Sequence, residues 1–391
     1  FGATSVDIAT NANAPKASAK GEGKSGGVAV IGVTSAVAGQ SAGKTATVST
    51  TYEQGNLDSF GTITVQTNNA PFMKSTVESG TGGLLVGSGG VTDVNVRVSS
   101  QTSLGTLGIL NVTTPGELNI GAGSLPKVAS LLDNTSGSLI GASGATTSTD
   151  ITTTSTTLVG GGARIMARNI NISASNGARR EDNAEGYNIK STSGGAIDVP
   201  AMISDIEITA NTYLTVADNA IISQVGDPLD VDDLQFNIGI TTNFYVRDEL
   251  NLDAGGAVAA PIGESDINIK ANNAIVSIQN ADILSVGLVN IYTGGDADIY
   301  NFVDATSYGL AGAAVANAYA TYNAVNKIEI LNGANVESEN DIALKAGHTK
   351  TGLQSVKVHT ESRTYNKTAI PIPITPDADA LAVTTSLVDI K

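Results

Sequence analysis

The octapeptide Ser204–Asn211, SDIEITAN, returns 61 positions later as SDINIKAN at Ser265–Asn272. Both copies alternate apolar and polar residues, as in Ile206-Glu207-Ile208-Thr209. That period of two marks a half-buried strand with Ile inside and Glu and Thr outside. The closing Ala-Asn supplies a residue that tolerates the left-handed backbone of a tight corner. At the same offset Gly194-Gly195-Ala196 aligns with Gly255-Gly256-Ala257, Asn219-Ala220 with Asn280-Ala281, and Ile222 with Ile283, without insertion. A catalytic site is normally written once, whereas a unit that stacks on its own copies is written repeatedly.

A second pair lies upstream. GGVAVIG from Gly26 and GGLLVGS from Gly82 sit 56 residues apart and are followed by the strand phrases ITVQTNN from Ile63 and LNIGAGS from Leu118. The same short phrase recurs as INISASN from Ile170, LNLDAGG from Leu250 and IALKAGH from Ile342. Its spacing varies, so the repeat is irregular.

Composition agrees with a repetitive architecture. The 391 residues include 44 glycines and only 4% aromatics, with no Trp and no Cys, so a narrow core of small and β-branched side chains is expected in place of a wide globular one. Hydrophobic residues at 41% against 15% charged are enough for the chain to fold. The absence of Cys rules out disulfides and thiolate metal sites. A net charge of −16 argues against a nucleic-acid partner, since ARRED at Ala178–Asp182 is the densest basic spot and acids follow at once. No run reaches the length of a membrane helix. The most apolar stretch, Gly309–Val325, reads with period two, placing Ala314, Ala316, Ala318 and Ala320 on one side; a short helix is the alternative.

Many short strands suit a sandwich, a propeller or a parallel β-solenoid. Unequal units, aliphatic inward residues and Asn beside the strands (Asn171, Asn211, Asn272, Asn280) favour the solenoid, in which amides stack along the axis. The expectation is therefore an all-β chain: one elongated β-solenoid over residues 1–391, with loops or hairpins extruded from its coils. It comprises a Gly/Ser/Thr-rich block at 26–165 and a second block at 166–391. Coils of about 20 residues would make a rod at most roughly 95 Å long. The tract ATTSTDITTTSTT at Ala145–Thr157 reads as a loop or an outward Thr ladder. AIPIPITP at Ala369–Pro376 reads as an edge, a cap or an excursion, because its prolines remove ladder donors.

The SGG-apolar starts (Ser25-Gly26-Gly27-Val28, Gly82-Gly83-Leu84-Leu85), the Ala/Thr/Val alternation after them and the closing D-I-x-I-x-A-N phrase resemble the repeat regions of filamentous-haemagglutinin-like bacterial adhesins, including leukotoxin-type filamentous adhesins. The likeness extends over most of the chain. It implies a right-handed parallel β-helix exported by a two-partner route, displayed on the bacterial cell surface or secreted, and used for adhesion or cohesion. The implied partners are a host or neighbouring-cell surface, glycans, or further copies of the chain.

Chemistry is sparse. The two histidines, His348 and His359, fall on polar segments and read as surface residues. No P-loop or dinucleotide fingerprint occurs. GDPLDVDD offers Asp227, Asp230, Asp232 and Asp233 as oxygen ligands for a weak calcium site, and GGDADIYN offers Asp296 and Asp298; solvated acidic loops are the plainer reading of both. No set of residues supports an enzyme, and no catalytic residue or cofactor is expected. A structural and adhesive module leads, with a filament or sheath subunit and a polysaccharide-acting β-helix enzyme as alternatives.

Overall fold

The computed structural model describes residues 3–12, 16–39, 44–181, 186–226 and 234–391. Among these the chain is all-β, with twenty strands in one sheet and no helix. The strands are β1 (Ala3–Ala12), β2 (Lys16–Gly39), β3 (Ala46–Tyr52), β4 (Gly55–Asn69), β5 (Phe72–Leu104), β6 (Leu110–Ser124) and β7 (Lys127–Val159). Then follow β8 (Ala163–Arg180), β9 (Ile189–Gly194), β10 (Ile197–Val216), β11 (Ile221–Gln224), β12 (Phe236–Ala259), β13 (Ile262–Ile278) and β14 (Asp282–Ser285). The last are β15 (Val289–Gly312), β16 (Val315–Ile330), β17 (Asn335–Ser338), β18 (Ile342–Ala346), β19 (Val356–Pro371) and β20 (Asp377–Ile390).

The strands pair in parallel, and the repeat is their register. Ser204 to Thr209 pair one for one with Ser265 to Lys270, and Gly26 pairs with Gly82. Ile206, Ile208, Ile267 and Ile269 are fully buried, Glu207 is exposed and Asn268 half-buried. A shift after Thr209 sets Asn211 opposite Asn273, whose Nδ2 donates to Asn211 Oδ1 at 2.9 Å. An amide contact along the ladder is thus made by Asn211 and Asn273.

Pairing extends into ladders seven residues long. Ile8, Val65, Ile120, Ile172, Ile238, Ile291 and Leu344 form one, and Tyr52, Leu104, Val159, Val216, Ile278, Ile330 and Ile390 another. Stacked residues are thus 52 to 66 positions apart in the first ladder, so the expected coil of about 20 residues is too short by nearly threefold. Seven layers at ~4.8 Å span about 29 Å, well under the expected length. Several strand segments with corners between them make up each repeat, and the short phrase marks segments, not whole repeats.

Three apolar clusters run across the layers. The largest is built on Ile63, Ile120, Ile172, Phe236, Val276 and Ile328, the second on Val96, Ile206, Ile208, Phe244 and Tyr322, and the smallest on Val77, Leu132, Leu250, Ala314 and Ala316. Polar side chains lie between them. Ser100 bonds Ser124 at 2.8 Å and Thr102 bonds Thr67 at 2.9 Å on one side of the second cluster, and Thr92 meets Ser130 at 2.6 Å on the other. Facing strands here carry short hydroxyl side chains, which fill little volume and satisfy each other.

The SGG starts form a corner. Gly26, Gly82, Gly137, Gly194 and Gly255 stack in register. A Cβ on Gly83, Gly195 or Gly256 would fall far inside contact with a backbone carbonyl of Gly27, Ser138 or Gly195 respectively. Glycine is thus a packing requirement at Gly83, Gly195 and Gly256, whereas Ser138 fills the same position in the layer beside Gly83.

The tract at Ala145–Thr157 is not a loop. It lies within β7 and alternates, with Thr147, Thr149, Thr153, Ser155 and Thr157 buried and Thr146, Ser148, Thr152, Thr154 and Thr156 on the outer side. In Gly309–Val325, Ala314, Ala316, Ala318 and Ala320 point inward from extended backbone, so the strand reading holds. The proline segment passes from β19 to β20 across an exposed corner, where Ile372 N–H donates to Gly312 O at 2.9 Å.

Candidate functional site

The outer surface formed by β8, β12, β15 and β19 bears a groove of about 400 Å³. Its cause is local. At Asn176-Gly177-Ala178 the alternation breaks, with three buried residues in a row. Asn176 turns inward, donating to Asn211 O at 2.8 Å and accepting from Gly177 N–H at 2.9 Å. A Cβ on Gly177 would collide with the Asn243 carbonyl, and one on Gly295 with that of Thr242. The layers bend together here, and the outward side chains just past the bend line the concavity.

Those side chains include Arg179, Asn243, Tyr245, Asp296, Asp298 and Lys357. Asp296 is exposed and accepts the Ser355 N–H at 2.8 Å. Asp298 accepts Arg247 Nη2 at 3.1 Å. Arg179 lies 5.0 Å from the centre of the Tyr245 ring while pairing with Glu181 at 2.7 Å. Arg247 sits between Tyr245 and Tyr300, 4.8 and 5.2 Å from their ring centres. Tyr300 then stacks on His359, 5.2 Å apart with planes 2° off parallel. Guanidinium and imidazole groups thus cover the ring faces and fix the tyrosines. Burial raises the Tyr300 phenol above its ordinary pKa, and the carboxylates of Glu249 and Glu361 add to this against Arg363 and Arg247. The arrangement offers fixed donors and acceptors of both charge signs beside the tyrosine rings.

Of the residues singled out in the sequence, Asp296 and Asp298 meet at this groove. Asp227, Asp230, Asp232 and Asp233 lie outside the described residues, among which no three His, Asp or Glu side chains group around a potential metal position. His359 is exposed, as expected, and serves as the outer plate of the Tyr300 stack. His348 is half-buried, with Nδ1 3.3 Å from Ala346 O. The basic spot divides: Arg179 faces the groove, whereas Arg180 is fully buried and bonds Asp248 at 2.7 Å. Asp248 also accepts the Ser265 hydroxyl at 2.5 Å. This pair is structural, because burial leaves it no access to solvent. Sequence reading missed Tyr245, Arg247 and Tyr300 as a group, since their neighbours are set by register steps of 53 to 66 residues.

Compared with family models, curated proteins and solved structures, the chain matches none.

Proposed function

We propose that this chain is a right-handed parallel β-solenoid serving as a structural and adhesive module of a bacterial filamentous adhesin, displayed at the cell surface or secreted. The observation that carries the reading is the pair of in-register ladders through seven layers, which give a stiff scaffold with a regular array of outward side chains. Its mechanism is rigid display: many weak contacts to glycans or a cell surface add up through avidity. The groove at Tyr245, Asp296 and Asp298 is a concave contact point on that array. No catalytic step is assigned to it, and no cofactor.

The test compares the chain free in solution with the chain coupled densely to beads, on immobilised oligosaccharides and on whole cells. Dense coupling should convert weak binding into retention, and Tyr245→Ala with Asp296→Ala should reduce it while the oligosaccharides stay intact. Equal binding by free and coupled forms would sink the avidity mechanism. Cleavage of a polyuronate that disappears in Asp298→Asn would promote the polysaccharide-acting alternative, which the nearby carboxylates Asp296 and Asp298 favour.

A further inference from the structure

We infer that one outer face of the stack, beside the glycine corner, packs face to face on the same face of a second copy of this chain. Just past that corner Leu85, Ile140, Ile197, Val258 and Ala311 pair one on the next and point outward. Each has a paired strand on both sides, yet Leu85 is 51% exposed and Ile140, Ile197 and Val258 are 44%, 44% and 45% exposed. Their exposure is therefore that of an open face. Gly87, Ala142 and Val199 form a second outward row, and Gly89, Gly144, Ala201, Ile262 and Val315 a third. Among the described residues of these three rows no charged or hydrogen-bonding side chain occurs. The alternation is inverted here, since Ser88, Ser143 and Asp198 are the buried residues between the rows. Farther along the same strands the outward residues turn polar, as Asp205, Glu207 and Thr209 do on β10. A contiguous apolar face of this kind marks a contact surface.

Area, spacing and charge select a second copy as the occupant. Seven layers at ~4.8 Å, by the roughly 17 Å that five strand residues cover, outline a face of about 500 Å², so two copies remove about 1,000 Å² from water. That is the size at which specific interfaces begin. The rows repeat every ~4.8 Å along the stack, and side chains can interdigitate with them throughout only from a surface of the same repeat. A membrane is the competing occupant, and the margin of the face opposes it. Past the third row come Asp93, Asp205, Glu264 and Asp266, with no Lys or Arg in their ladders, and the chain has no Trp. Anionic headgroups would be repelled, and no indole anchors the face at a lipid interface. A two-fold axis along the stack sets each acidic margin beside the other copy's glycine corner, which keeps like charges apart. Ala142, in the middle row, then faces its own equivalent. The contact is isologous, so it closes as a dimer. It rests on the layered strand pairing and is independent of the adhesive reading.

Sedimentation velocity of the full chain, from micromolar to submillimolar concentration, tests this. The parent should pass reversibly from monomer to dimer. Ile140→Lys with Ile197→Lys should weaken association roughly a hundredfold or more, because unpaired charges would then be buried in the contact. Both positions are exposed in the single chain, so the circular dichroism spectrum should match the parent's. Asn268→Lys, on the polar part of the surface, should dimerise as the parent does. A second readout does not depend on how the lysine variant folds. The chain has no Cys, so Ala142→Cys can crosslink only between copies; a short bis-maleimide should join them and should leave Glu207→Cys unjoined. A monomeric parent, dimers that survive the double lysine change, or crosslinking of Glu207→Cys in place of Ala142→Cys would each overturn the proposal. Flotation of a monomeric parent with phosphatidylcholine vesicles would overturn it too and assign the face to lipid.

Discussion

At the scale of single residues, the interior is decided by which side of a strand a side chain occupies. Ile208 has Ile151 and Ile269 as ladder neighbours, all three fully buried. Ile208→Asp should cost several kcal/mol by placing an unpaired charge there, whereas exposed Glu207→Gln should stay within about 0.5 kcal/mol, as denaturant titration will read. On the outer face, Asp266 stands beside Asp205 in its ladder. Its pKa is raised by burial and then by the charges of Asp205 and Glu264. A carboxylate with a raised folded pKa favours the folded state most below its unfolded pKa, and that contribution is lost as pH rises through the folded value. Asp266→Asn should therefore be more stable than the parent at neutral pH, with the gap closing as pH falls through the carboxylate range. A gap that widens on acidification would contradict the sign.

At the scale of elements, the corners are as specific as the strands. Gly256 must pass the Gly195 carbonyl, which leaves no room for a methyl group, whereas a Cβ on Gly137 in the same corner meets nothing within 4 Å. Gly256→Ala should thus cost about 1–3 kcal/mol through backbone displacement, and Gly137→Ala should be nearly neutral. Thermal melts of the two variants measure the contrast, and equal losses would refute the account. The hydroxyl-lined β7 follows the same logic. Its threonines suit extended backbone by virtue of β-branching, and Thr147 reaches Ser204 in the next layer at 2.8 Å, so polar residues can occupy inward positions between apolar clusters.

At the scale of the whole molecule, each layer touches only the layers beside it, so stability should be graded along the stack. Hydrogen exchange should be slowest in β10 and β12, which pair on both sides, and fastest in β1, β2 and β20, which pair on one. Uniform protection from end to end would argue for a single cooperative core instead. The same geometry leaves outward side chains open to contact, because the interior is filled by the ladders.

The sequence by itself determined the strand, its inward face and its copies. Alternation in SDIEITAN follows from the geometry of extended backbone, in which successive side chains must point opposite ways. The offsets of 61 and 56 are the pairing register itself, since in-register parallel strands put like residues beside like. What the sequence left undecided was how many segments make one layer, since a short phrase repeats within layers as well as between them. The fate of the Thr tract was hidden too, because Thr147 and Ser155 find their partners, Ser204 and Ala122, tens of residues away. The groove was half legible. Asp296 and Asp298 stand out in the chain as acids after two glycines, but Tyr245, Arg247, Tyr300 and His359 become one surface only when four separate strands are laid side by side. Local preference is written in neighbouring residues; contact between layers depends on the number of residues from one paired strand to the next, and only the tertiary structure fixes that number.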